Sequence, residues 1–189
     1  MFYLLTVTTA TLLITIGNFL SDGIFRVSAF GRLLLLTLIG VAAVFAIDAL
    51  AALVARRLPE RWFAPEARLF SVGKREKNFY RKLKINRWKQ YVPEWGCFTG
   101  FHKDELQSSS DTAYLGRFLI ESNYGVAGHV AGAILGFLLV LIPPLRPLTV
   151  ALPVAAVNAI LSLLPTMILR FNTPALRRLY HRTLPRDEK

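Results

Sequence analysis

Four apolar runs, at residues 2–20, 33–55, 125–142 and 148–169, limit what this chain can become. Each is long enough to cross the hydrocarbon core of a bilayer, which takes about 20 residues as a helix. The chain is 53% hydrophobic, and this content is gathered in blocks rather than spread in amphipathic periods, as in a membrane protein. In lipid every backbone N–H and C=O needs an internal partner, so the runs are predicted to be helices. The expected fold is an all-α integral membrane protein, a single membrane domain of four transmembrane helices. Pro143-Pro144-Leu145-Arg146-Pro147 is too short a link to leave the interface, so spans three and four are expected to form an antiparallel hairpin. Residues 21–32 are expected to join spans one and two in the same way.

No basic stretch precedes the first run and no small-residue cleavage pattern closes it, so it reads as a retained helix rather than a removed signal peptide. The string Lys103-Asp104-Glu105-Leu106 is internal, and a retention signal must be C-terminal.

Charge orients the spans. Of 23 Lys and Arg residues, 14 lie between spans two and three and 6 in the tail from Arg170, against Arg26, Arg32 and Arg146 in the opposite loops. The positive-inside rule places the N-terminus, the central segment and the C-terminal tail (residues 170–189) in the cytoplasm, with the chain in the cell (inner) membrane.

The central segment, residues 56–124, interleaves its basic residues with Phe63, Phe70, Phe79, Tyr80, Trp88, Tyr91, Trp95, Phe98 and Phe101. Residues 74–84 suit an interfacial helix, with Phe79, Tyr80 and Leu83 toward lipid and Lys77, Arg81 and Lys84 toward headgroups. Pro93-Glu94-Trp95-Gly96 reads as a turn. Ser108 to Asp111 offer N-caps for a helix with Leu115, Phe118 and Leu119 on its apolar side, continuing into span three. Attraction to anionic lipid accounts for such a cluster beside four spans, so nucleic acid is not the expected partner. The same field suits an anionic substrate such as a coenzyme A thioester.

Few polar groups enter the spans, and ionisable ones at membrane depth are functional candidates. Asp48 and His129 both lie near the cytoplasmic ends of their helices. Two readings of them stand: a structural interhelical hydrogen bond, or a catalytic pair in which Asp48 orients His129 as base. Gly128, Gly132 and Gly136 form a small-xxx-small ladder for close helix packing, within one chain or between two. Glu121, eight residues before His129, is about 12 Å from it along a continuous helix, too far for direct contact. By composition Glu121 reads as a solvated interfacial carboxylate, and Arg170-Phe171-Asn172 as anchoring at a helix end. Asn18 and Asn158 are expected to be interhelical hydrogen bonders. His102 and His181 sit in polar contexts, so no metal site and no cofactor is expected. Cys97, the single cysteine, excludes an intramolecular disulfide. Neither a nucleophile elbow nor a phosphate-binding glycine loop is present.

The run Phe70-Ser-Val-Gly-Lys-Arg-Glu-Lys-Asn-Phe-Tyr-Arg-Lys-Leu-Lys-Ile-Asn-Arg-Trp-Lys89, with Pro93 after it, resembles the glycosyl-diaponeurosporenoate acyltransferases of staphyloxanthin-type carotenoid synthesis and their bacterial relatives. Glu121 and His129 match that family's Glu-x7-His element opening a transmembrane helix. Arg170-Phe171-Asn172 partly matches its Arg-Tyr-Asn-Arg run. The sequence departs at Thr173, where the family usually has a second arginine, and at Lys74 and Arg81, where many relatives carry acids.

The resemblance implies a membrane acyltransferase that moves an acyl group from a thioester donor to a hydroxyl of a lipid or glycolipid acceptor. It implies catalytic roles for His129 and Glu121, with Asp48 added from its depth. Trp88, Lys89, Tyr80, Arg170 and Asn172 are the expected substrate-binding residues. Two other classes fit a four-span chain: a non-enzymatic scaffold or lipid-binding subunit, and another lipid-modifying enzyme such as a reductase or methyltransferase.

Overall fold

The computed structural model describes residues 2–21, 27–92, 108 and 110–185. It is 88% helical, with no strand among the described residues, as the apolar runs require. The helices are α1 (Phe2–Ser21), α2 (Val27–Arg57), α3 (Lys74–Lys82), α4 (Ile85–Trp88), α5 (Thr112–Leu135) and α6 (Leu152–Thr183). Among the described residues, four stretches are long and apolar enough to cross a membrane: Tyr3–Ser21, Ala29–Arg57, Thr112–Leu141 and Pro147–Thr183. Cys97, His102, Trp95, Phe98, Phe101 and the turn expected at Pro93 lie outside the described residues.

The chain divides into two compact units, Met1–Ala52 with His129–Leu163, and Leu53–Gly128 with Leu164–Lys189.

The first unit has the polarity of a membrane bundle. Leu4, Leu13, Leu35, Leu50, Ile134 and Ile160 are exposed, while Thr15, Thr37, Asn18 and Asn158 are buried. Thr15 Oγ1 lies 3.3 Å from Thr37 Oγ1, joining α1 to α2. Asn18 Nδ2 donates to the Thr149 carbonyl at 2.7 Å, reaching the turn ahead of α6. Both asparagines expected to bond between helices therefore do so, since Asn158 donates to Asp48 at 3.1 Å. Leu139, Leu145, Val150, Val154 and Val44 form the apolar core of this unit. Arg146 turns the chain there with φ 52, a left-handed conformation that costs a residue with a Cβ about 1–2 kcal/mol. Pro147 follows it, so no N–H is wasted at the first position of the next helical turn.

In the second unit, Asp111 caps α5. Its Oδ1 accepts from the backbone N–H of Ala113 at 2.9 Å and of Tyr114 at 3.1 Å, satisfying two of the donors a helix start leaves open. From there α5 is unbroken to Leu135. Leu115, Phe118 and Leu119 are buried, the expected apolar side. Two short 3-10 turns, Glu60–Phe63 and Arg68–Phe70, carry Phe63 and Phe70 into a core with Tyr124 and Val126. Phe63 stacks on Tyr124 at 4.1 Å between ring centroids. Asn123, 1% exposed, fastens the first turn by donating to the carbonyls of Phe63 at 2.9 Å and Ala64 at 3.3 Å.

Candidate active site

Two of the substrate-binding candidates, Tyr80 and Arg170, meet at a carboxylate that sequence reasoning missed. Glu76, in the first turn of α3, accepts at Oε1 from Arg170 Nε at 2.5 Å and at Oε2 from Arg170 Nη2 at 2.9 Å. Tyr80, one turn on, donates its hydroxyl to the same Oε1 at 2.6 Å. Arg170 Nη2 also donates to the Ser71 carbonyl at 3.2 Å. This bidentate geometry is the strong, directional mode of arginine–carboxylate pairing. The hydrogen bond from Arg170, opposed by partial burial, holds the Glu76 carboxyl below its ordinary value of 4.5. Burial, and then the bond to Glu76, pushes the Tyr80 phenol up to about 12. Tyr80 is thus a neutral donor at physiological pH.

Tyr80 is buried, not turned to lipid as its place in an interfacial helix suggested; only Phe79 and Leu83 of that trio are exposed. The reason is its phenol, which finds Glu76 inside. Tyr80, Ile85 and Val92 pack with Ile168 of α6, and Trp88 joins them. The indole Nε1 of Trp88 donates to the Leu83 carbonyl at 3.0 Å, meeting an acceptor that the end of α3 leaves open. Lys84, at φ 52, bends the chain between α3 and α4. Tyr80, Trp88 and Arg170 are therefore brought together, with Lys89 beside Trp88 in sequence. Asn172, half-buried on α6, makes no side-chain hydrogen bond to another described residue.

Glu121 is not solvated. Its side chain is 7% exposed and paired at both oxygens. Arg56 Nη2 reaches Oε2 at 2.7 Å and Arg117 Nη2 reaches Oε1 at 2.5 Å. Arg117 extends the network to Glu60 at 3.0 Å, and Arg56 sits over the Tyr124 ring at 5.7 Å. A carboxylate held by two guanidinium groups is well placed to fix those arginines.

In the first unit, Asp48 on α2 accepts from Asn158 on α6, and the pair lies against Gly132 of α5 and Gly136 just after it. A Cβ on Gly132 would collide with Asp48 Oδ1, and one on Gly136 would stand 3.2 Å from Asn158 Nδ2. Here the ladder makes room for a polar pair within the bundle. His129 is half-buried, one turn before Gly132 on the same helix, and its imidazole makes no hydrogen bond to another described residue. Asp48 bonds Asn158 in place of the imidazole.

A family model described as CrtO, glycosyl-4,4'-diaponeurosporenoate acyltransferase, matches residues 59–182, more than half of the chain. The chain belongs to that family. Its matched stretch holds Tyr80, Trp88, Lys89, Glu121, His129, Arg170 and Asn172, whereas Asp48 lies outside it. No curated protein and no solved structure matches the chain. Family membership, with four helices able to cross a membrane, identifies a membrane protein of an acyltransferase family named for carotenoid biosynthesis.

Glu76, Arg56 and Arg117 were the residues that sequence reasoning passed over. Glu76 did carry a signal, as the one acid among eight Lys and Arg between Lys74 and Lys89. An isolated acid in such company is placed to pair.

Proposed function

We propose that the protein transfers a fatty acyl group from an anionic thioester, such as acyl-coenzyme A, to a hydroxyl of a lipid or glycolipid at the cytoplasmic face of the cell membrane. Family membership across residues 59–182 carries this reading. In it, His129 takes the proton of the acceptor hydroxyl as the oxygen attacks the thioester carbonyl. The C–S bond breaks and the thiol leaves with a proton. A half-buried imidazole without a hydrogen-bond partner among the described residues is suited to that part, because neither nitrogen is committed. Trp88, Lys89, Tyr80, Arg170 and Asn172 hold the donor's headgroup. Support for that assignment is the convergence of Tyr80, Trp88 and Arg170. Glu121 acts by fixing Arg56 and Arg117 rather than by moving a proton, as its two ion pairs favour. Asp48 supports the bundle beside His129. The lopsided distribution of Lys and Arg supports two hairpins with both termini in the cytoplasm.

The paired states of Asp48 and Glu121 favour a second reading, a scaffold or lipid-binding subunit whose polar groups only hold helices together. One assay separates the two. Purified protein is given radiolabelled acyl donors, on coenzyme A and on carrier protein, with total membrane lipid as acceptor. Labelled ester supports the transferase; its absence with both donors leaves the scaffold.

A further inference from the structure

We infer that the exposed outer face of the α3–α4 segment is a docking surface for the anionic phospholipid headgroups of the leaflet it lies on, distinct from Tyr80 and Trp88, which the proposed function assigns to the acyl donor. Depth comes first. Tyr80, Ile85 and Trp88 pack on Leu164, Met167 and Ile168 of α6, which belong to a stretch apolar enough to span a membrane. The fourth apolar run ends at residue 169, so these residues lie in its last turns, and a segment seated there lies at the membrane boundary, with its outer face toward headgroups.

Charge comes second. Lys74, Arg75, Arg81, Lys82, Lys84 and Arg87 are all exposed. Glu76, the one acid in the segment, is committed inward to Arg170. The outer face is therefore cationic with no acid of its own to offset it, and a surface potential of opposite sign attracts it.

Apolar character comes third. Arg75, Phe79 and Lys82 stand at i, i+4 and i+7, so they share one face of α3. Phe79 is 53% exposed and Leu83, next to them, 38%. An exposed aromatic ring between two cations has the make-up of a helix lying in the interface, its apolar groups below the headgroups and its charges among them. A nucleic acid or soluble anion would use the cations but give the exposed Phe79 and Leu83 no apolar partner.

The test uses the full-length protein with Cys97→Ser and a nitroxide on Phe79→Cys, in nanodiscs of phosphatidylcholine alone or mixed equally with phosphatidylglycerol. Accessibility to oxygen and to a water-soluble nickel chelate reports depth. The expected result is a label about 5–10 Å into the headgroup–acyl boundary in the anionic discs. It should be shallower in neutral discs, in high salt, and with Arg75→Glu and Lys82→Glu combined. Equal depth in both lipids would overturn the inference. So would a label that moves only when an acyl-coenzyme A thioester is added to neutral discs, since that would make the cations part of a donor site.

Discussion

Arg170 and Glu76 form a bidentate ion pair across 94 residues of sequence, at 2.5 and 2.9 Å, tying the first turn of α3 to α6. Tyr80 and the Ser71 carbonyl complete the knot. The pair is partly sheltered, with side chains 18% and 27% exposed, so it is worth more than a surface salt bridge.

Glu76→Gln removes the charge but keeps the shape. Loss of charge-assisted bonds of this kind costs about 1–3 kcal/mol. The pH dependence follows from the lowered carboxyl. Its contribution is complete above the ordinary value of 4.5 and is lost as pH falls through the lower folded value. Thermal unfolding in detergent should show the variant below wild type at neutral pH, with the gap closing under acid conditions. A gap that persists in acid would contradict the assignment.

Gly132→Ala sets two effects against each other. Alanine improves helix propensity by about 1 kcal/mol, while its Cβ would overlap Asp48 Oδ1 and stand 3.0 Å from Cγ. Overpacking of this kind costs about 1–3 kcal/mol, and moving the carboxylate also breaks its bond to Asn158. The clash should win, giving a lower melting temperature. Combining it with Asp48→Ala should cost less than the two changes added together, because the second removes what the first collides with. Strict additivity would mean that Gly132 and Asp48 are not in contact.

Glu121→Gln should act on stability. It leaves Arg56 and Arg117 without their shared counter-ion. Breaking a buried pair costs about 3–5 kcal/mol, but these guanidinium groups are 41% and 46% exposed. Solvent takes up part of the loss, so about 1–3 kcal/mol is expected. Urea or thermal unfolding measures it. Normal stability with abolished transfer would instead make Glu121 a chemical participant.

The spans and the course of α5 were legible because local signals decide them. Long apolar runs leave only a helix, and Asp111 ahead of Thr112 supplies the cap. Asn18 and Asn158 were legible for a related reason, since an amide in lipid must find a partner. The identity of that partner was not, because Asp48 lies 110 residues from Asn158, and spacing along a helix says nothing of contacts that far away. Arg170 read as an anchor for the same reason: its acid is 94 residues distant. Tyr80 misled because a basic aromatic helix has two ways to place a tyrosine, and the choice rests on whether a buried acceptor waits for the phenol.

His129→Ala tests the base directly. His129 is half-buried and its imidazole makes no hydrogen bond among the described residues, so its loss should leave the melting temperature close to wild type. General-base catalysis by a positioned group contributes about 10²–10⁴-fold. If His129 is the proposed base, acyl transfer should fall by that factor, in kcat more than in KM, because a group acting on the reacting proton leaves binding of the donor's headgroup intact. His129→Gln, polar but unable to accept a proton at neutral pH, should be as inactive as alanine. On the proposed donor-binding roles, replacements at Trp88 or Lys89 should raise the KM for donor instead. Full turnover by the alanine variant would remove His129 from the chemistry. A variant that is both inactive and unstable would assign the imidazole to the bundle's architecture.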